Sequence, residues 1–302
     1  EPEAEEFESL LPENTEDFFH PSYDDEYIPD ASYSEVADRM ACIESEMPLH
    51  FNETVNSFIN YFTVRNRDYT KDVFRISPSY FHIFESYLKK HGLPDELKYL
   101  PVIESGLRPK ARSWAAAVGL WQFIPSTGRI YGLHQDWYLD ERMDPHLASD
   151  AACKHLKSLH KMFGDWELAL AAYNCGAGNV RKAMRRSGYK ETFWEIYNYL
   201  PRETRSYVPQ FVAVVYTFKY AEDHNFVFDR NEFKHEIDYE TIYVNGFTNL
   251  KSLSEQLNIC YEDIDGLNPS VKHGAIPEGM KDYPIRIPAD IYETFVAQKE
   301  RL

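Results

Sequence analysis

What this sequence lacks narrows its chemistry before any motif is read. No apolar run approaches the roughly 20 residues that a membrane helix needs. The longest, Phe211 to Phe218, stops well short, so no transmembrane span is expected. No basic stretch followed by an apolar one opens the chain, and any signal peptide or lipid anchor is expected upstream of Glu1 or already removed. The four cysteines, Cys42, Cys153, Cys175 and Cys260, form no C-x-x-C pair. That argues against a zinc ribbon or a thioredoxin-like motif and leaves buried thiols, or a disulfide in any of three complete pairings. The histidines include no H-E-x-x-H pair, and His155 and His160 stand off a common helical face. Gly176-Ala177-Gly178 has no G-x-x-x-x-G-K continuation, so no metal, nucleotide or other cofactor is expected. Positive charge is also short: 32 Lys and Arg face 49 Asp and Glu, for a net charge of −17. No segment carries a basic footprint, and nucleic acid is not an expected partner.

The charge that is present is unevenly placed. Residues 1–40 carry −13, residues 41–225 carry +2 and residues 226–302 carry −6. The first of these segments, rich in acids and nearly free of bases, reads as a flexible, self-repelling acidic linker. From residue 41 to about 225 the pattern is helical. Val55, Phe58, Ile59 and Phe62 fall at i, i+3, i+4 and i+7, and Tyr80, Ile83, Phe84, Tyr87 and Leu88 repeat that face. Gly92 and Pro94 punctuate before LPDELKYLPVIES, where Leu97, Leu100 and Ile103 share a stripe and a helix is predicted to end near Glu104. Asp144-Pro145 reads as a cap and first-turn proline for a helix carrying Leu156, Leu159 and Phe163. After residue 225 the texture changes. IDYETIYV and YPIRIP read as strands and LKSLSEQL and YEDIDGL as short helices, a β-α-α-β unit of about fifty residues. So small a unit buries little core alone, and it is expected to dock on the rest of the chain or to be marginally stable.

Three segments inside the helical region stand out together: Glu104-Ser105 in LPVIESGLRPKARS, Gly119-Leu120-Trp121-Gln122-Phe123, and Ala172-Tyr173-Asn174 in LALAAYNCGAGNV. Singly, each has an ordinary reading. One glutamate among 49 acids is usually a solvated charge, a Gly-Leu-Trp-Gln run is usually a turn into a packed helix, and Tyr-Asn at a helix end is usually a cap. In this order and at these separations, however, the segments resemble the lytic murein transglycosylases with a goose-type-lysozyme-like catalytic domain. The likeness is closest to the transglycosylase D branch, and it covers about residues 48 to 220, including FGDWELALAAYN and LPRETRSYVPQF.

The resemblance implies a mainly α fold, a lysozyme-like helical catalytic domain over 41–225, followed by a LysM-like β-α-α-β module and tail over 226–302. It makes Glu104 the catalytic residue and puts Ser113, Gln122, Tyr173, Asn174, Glu203 and Tyr207 around the substrate. Ser113 and Gln122 would contact the muramoyl residue near its N-acetyl group. Tyr173 would orient Glu104 or the oxocarbenium-like centre, Asn174 would shape the floor, and Glu203 and Tyr207 would support. One departure stands out: Ala116 occupies a position where the family usually has glycine, which would be costly if a positive dihedral were required there. The C-terminal unit departs too, writing Gly246-Phe247-Thr248-Asn249-Leu250 where a LysM module usually has Gly-Asp-Thr-Leu, so glycan binding and a purely stabilising or partner-docking role both stay open.

The chemistry follows from residue type. Cleaving a glycosidic bond needs a proton on the departing oxygen, and a glutamate supplies it near neutral pH only where an apolar surround raises its pKa. Glu104 follows the apolar face of Leu97, Leu100 and Ile103. Most glycosidases use a second carboxylate; the resemblance implies instead that one glutamate acts as acid and then as base for the sugar's own 6-hydroxyl. The expected activity is a peptidoglycan lytic transglycosylase cleaving the β-1,4 bond between N-acetylmuramic acid and N-acetylglucosamine, in the periplasm or cell envelope. A hydrolytic muramidase, with Glu203 as its second acid, and a catalytically silent wall-binding protein are the alternatives.

Overall fold

The computed structural model describes residues 27–233, 237–292 and 296. Most of the acidic linker predicted over 1–40, up to residue 26, lies outside the described residues. In chain order the elements are α1 (Tyr33–Ala41), α2 (Glu53–Asn60), α3 (Arg67–Ile76), α4 (Pro78–His91), α5 (Leu100–Ser105), α6 (Pro125–Ile130), α7 (Pro145–Phe163), α8 (Trp166–Cys175), α9 (Ala177–Arg186), α10 (Phe193–Ile196), α11 (Arg202–Lys219), β1 (Tyr239–Val244), β2 (Thr248–Asn249), α12 (Leu250–Leu257), α13 (Tyr261–Leu267), β3 (Ala275–Ile276) and β4 (Tyr283–Pro288). The mainly helical class and the β-α-α-β end match the sequence reading. Among the described residues no helix is long and apolar enough to cross a membrane. The chain divides into two compact units that interleave in sequence: Glu1–Gly106 with Ala152–Phe233, and Leu107–Ala151 with Lys234–Leu302.

The first unit is helix on helix. Asn52 caps α2 by accepting from the Val55 amide at 3.0 Å, and Val55, Phe58 and Ile59 are buried as the periodicity requires. Beyond Asn60 the helix widens into a π turn, Tyr61–Arg65, with the Asn66 amide reaching the Tyr61 carbonyl at 2.7 Å. Side chains take up carbonyls within it: Thr70 Oγ1 donates to Phe62 O at 2.7 Å and Arg67 Nη1 to Thr63 O at 3.0 Å. α4 buries Ile83, Phe84 and Leu88 and stops at Gly92, whose φ of 63° suits a residue without a Cβ. The predicted helix ending near Glu104 is two pieces, a 3₁₀ turn Asp95–Tyr99 and then α5. Pro101 explains the break: it has no amide to give and its ring crowds the preceding turn, so it is tolerated in the first turn of a new helix only. α8 is buried on nearly every face from Trp166 to Ala172, and α11 from Ser206 to Thr217. Helices apolar all round belong in the middle of a bundle.

In the second unit, Leu107–Ala151 is largely loop, with short bridges Arg112↔Val118 and Val118↔Phe123, then α6 and the start of α7. Asp144 caps α7 as predicted, its Oδ1 accepting from the amides of His146 and Leu147 at 2.9 Å each. In the C-terminal part β1 pairs antiparallel with β4, from Tyr239↔Pro288 to Val244↔Tyr283. A two-residue ladder, β2 with β3, was not foreseen, being too short to leave a periodic pattern. The core is Ile242, Leu250, Leu257, Ile264, Ile276, Ile285 and Ile287, completed by Leu139 from the loop segment. The small module is thus docked: the Asp140 amide donates to Ser270 O and the Lys272 amide to Tyr138 O, both at 2.8 Å. Cys153 is buried, whereas Cys42 and Cys260 are exposed, and none of the four cysteines is in a disulfide, contrary to a disulfide reading and, for the two exposed ones, to burial.

Candidate active site

Glu104 sits in the last turn of α5. Gly106 ends that helix in the left-handed region at φ 58°, where an added Cβ would press the Tyr69 ring at 3.1 Å. The exposed carbonyls of the turn are taken locally, Val102 O by Tyr69 Oη at 2.9 Å and Pro101 O by Ser105 Oγ at 3.0 Å. A helix end satisfied in this way holds the Glu104 side chain on a rigid base. Its Oε1 accepts a short hydrogen bond from the Tyr207 hydroxyl, on α11. Burial pushes the Glu104 carboxyl up to about 8; the Tyr207 hydrogen bond opposes this and the Glu203 charge adds to it. The group is therefore a neutral acid at pH 7, the form that can donate. Burial, then the neighbouring Glu104, drives the Tyr207 phenol well above its ordinary value. It stays a phenol and keeps its proton for Glu104. With Oε1 occupied by that donor, the acid proton of Glu104 is left to Oε2.

The Ala-Tyr-Asn segment closes α8 in the same unit. Tyr173 is half-buried and near enough to Tyr207 to raise that phenol's pKa. Its ring lies 5.2 Å from the ring of His155, which burial holds at about 4 and hence neutral. No sequence pattern signals the contact of His155 with Tyr173, which lies 18 positions along on another helix. Asn174 is fixed by Thr204 Oγ1, which donates to Asn174 Oδ1 at 2.7 Å, and its Nδ2 reaches Glu203 Oε1 at 3.5 Å. Glu203 is exposed and acts on Glu104 through charge. Burial also pushes the neighbouring Cys175 thiol up, keeping it protonated. Glu104, Tyr173, Asn174, Glu203 and Tyr207 thus belong to one unit.

Ser113 and Gln122 belong to the other, on the loop Ala111–Phe123. Ser113 closes a tight turn: its amide donates to Ala117 O at 2.9 Å and its Oγ accepts from the Ala117 amide at 3.1 Å. Gln122 Nε2 donates to Gly119 O at 2.9 Å and to Ala111 O at 3.3 Å, so its amide staples the loop it stands on. Gly119, at φ 89°, has no room for a side chain, since a Cβ would lie 1.9 Å from the Arg142 carbonyl oxygen. Two non-glycine residues of this loop are also left-handed, Ala116 at φ 59° and Gln122 at φ 47°. The dihedral suspected at Ala116 is therefore positive. Trp121 anchors the loop, fully buried with its Nε1 on Ser149 Oγ at 2.9 Å. Sequence reasoning missed Arg142, which grips this loop; it stood inside DERMDPHLASDAA, but one arginine in a charged run gives no sign of being buried.

A half-buried glutamic acid whose carboxyl is pushed up to about 8 and held by a phenol on a helical scaffold, with a LysM-like unit on the same chain, fits a general-acid class of site. Residues 81–196 match the family described as transglycosylase SLT domain, and residues 238–302 match the LysM-like domain of lytic transglycosylase MltD. The chain carries both domains and is homologous to membrane-bound lytic murein transglycosylase D. The membrane-bound lytic murein transglycosylase D of Escherichia coli K12 is 43% identical over 155 residues, covering 50% of this chain and 34% of that protein. The peptidoglycan transglycosylase gp16 of Escherichia phage T7 is 30% identical over 142 residues, 46% of this chain and 10% of its own. The chain spans about a third of the length of the first of these relatives. Among solved structures, the 70 kDa soluble lytic transglycosylase of Escherichia coli aligns over 52% of this chain and 27% of its own with a TM-score of 0.40 and 23% identity, a loose likeness.

Proposed function

We propose that this protein is a peptidoglycan lytic transglycosylase with Glu104 as its one acid and base. The observation that carries the reading is the Tyr207 hydroxyl donating to Glu104 Oε1, at a carboxyl that burial pushes up to about 8. The proton on Glu104 passes to the glycosidic oxygen between N-acetylmuramic acid and N-acetylglucosamine as the C1–O bond breaks. The resulting carboxylate then takes the proton of the muramoyl 6-hydroxyl, whose oxygen bonds to C1. The product is a 1,6-anhydromuramoyl end, Glu104 is protonated again, and no water is consumed. An attacking hydroxyl on the same sugar gains the advantage of an intramolecular nucleophile if the ring is held in a near-attack shape. In this reading Ser113 and Gln122 hold the muramoyl residue, Tyr173 and Asn174 line the reacting end, and Tyr207 orients the acid. The work is done where murein lies, in the cell envelope.

Mass spectrometry of the products from purified peptidoglycan tests this. Anhydromuropeptides are expected from the wild type and none from Glu104→Gln, which deletes the proton at nearly constant volume. Reducing ends would replace this reading by hydrolysis, with Glu203 as the carboxylate to pursue. Equal turnover by Glu104→Gln would sink the single-acid mechanism.

A further inference from the structure

The loop that bears Gln122 is strained, and what holds it leads to the C-terminal module. Left-handed backbone at Ala116 and Gln122 is disfavoured for residues that carry a Cβ and persists only where the surroundings over-determine it. Arg142 supplies that hold. Its Nη1 donates to Ala116 O at 2.8 Å and to Phe123 O at 2.9 Å, so one cationic nitrogen ties both ends of the strained stretch. Its Nε and Nη2 donate to Asp140 Oδ1 at 2.9 Å and Oδ2 at 2.8 Å, a bidentate pair with both side chains under 5% exposed.

The segment from Asp140 to Asp144 is gripped in turn from the module. The Asp140 amide donates to Ser270 O at 2.8 Å, and the preceding Leu139 sits in the module's core. Asp144 receives Arg286 on both oxygens, Nη1 to Oδ2 at 2.7 Å and Nη2 to Oδ1 at 3.1 Å. Arg286 is itself fixed on β4: its amide donates to Asn268 Oδ1 at 2.9 Å, and Asn268 Nδ2 donates to Arg286 O at 2.7 Å. The buried groups form one chain of contacts running from Asn268 through Arg286, Asp144, the Asp140–Asp144 backbone and Arg142 to the loop. A flexible tether would need none of it. Burying two bidentate ion pairs carries a desolvation cost that surface attachment avoids, and such pairs repay it in a fixed geometry.

We propose that the LysM-like module is an internal buttress for the substrate loop, with Arg286 a positioning residue that acts through Asp144 and Arg142 on the backbone around Ala116 and Gln122. This rests on the proposed reading in one respect, that Gln122 holds the glycan. The test uses the whole chain with Arg286→Met and the milder Arg286→Lys, which keeps the charge and loses the fork. Hydrogen exchange reads the buttress without any activity: the Val118 and Phe123 amides, which pair with each other's carbonyls at 3.1 Å, report on the loop. In Arg286→Met these amides are expected to exchange roughly tenfold faster, with α11 unchanged and Arg286→Lys in between. Kinetics reads the consequence: KM rises by about tenfold while the pH at which kcat falls stays put, because Glu104 lies elsewhere. Wild-type exchange at Val118 and Phe123 in both variants would overturn the buttress and leave the module an appendage, even if Tm fell. Should Arg286→Met fail to fold, Arg286→Lys decides by the same amides. A chain inactive on peptidoglycan would remove the functional reading, yet the exchange result would still decide whether the module holds the loop.

Discussion

In the proposed reading Glu104 carries the chemistry because of where its carboxyl is placed, and that placement has a pH signature. With the group held at about 8, chiefly by burial, the protonated acid dominates below that pH and is lost above it. The rate is expected to fall as pH rises through about 8, giving an alkaline limb well above that of an ordinary carboxyl. Tyr207→Phe separates the causes. The phenol's hydrogen bond lowers the Glu104 value, so its removal should move the alkaline limb upward by about one pH unit while kcat drops. A pH–rate profile checks this, and a limb that stays in place would mean that the titrating group is not Glu104 under Tyr207. The residue type and position of Glu104 were readable from the chain. Its protonation state was not, because burial arises from packing between α5 and residues a hundred positions away.

Elements show the same division. The stripes of α2 and α4, the stop at Gly92 and the whole β1-α12-α13-β4 order could be read from spacing and punctuation, since local sequence dictates periodicity and caps. The π turn at Tyr61–Arg65 and the 3₁₀ turn before α5 leave no periodic mark, for each is a few residues long; the π turn depends on Thr70 and Arg67 meeting its carbonyls, and the 3₁₀ turn ends where Pro101 opens a new helix. The loop Ala111–Phe123 provides the prediction at this scale. Ala116 is left-handed and its environment is open enough for it to be exposed, so Ala116→Gly should stabilise the protein by roughly 0.5–1 kcal/mol. Gly119→Ala goes the other way: the Cβ meets the Arg142 carbonyl, and a loss of about 3 kcal/mol or more is expected. Chemical denaturation of both variants checks the pair, and a neutral Gly119→Ala would show that the loop gives way more easily than its contacts imply.

At the scale of the whole molecule, charge and long-range pairing matter most. The −17 net charge is concentrated in residues 1–40, whereas 41–225 is nearly neutral at +2. Such a body offers little electrostatic steering toward an anionic wall, so local glycan contacts should dominate affinity. Binding to peptidoglycan is expected to change less than about threefold between low salt and 0.15 M, where exposed charges are screened beyond roughly 8 Å; a sedimentation assay with a steep salt loss would contradict this. The amino-acid sequence alone determined the helical texture, the module's strand and helix order and the candidate acid, because periodicity, caps and residue chemistry act over a few residues. Only the tertiary structure decided that Glu104 is neutral, that Ala116 and Gln122 are strained, and that Arg286 grips Asp144 from 142 positions along the chain. Those outcomes depend on which groups lose water together, and no local pattern carries that information.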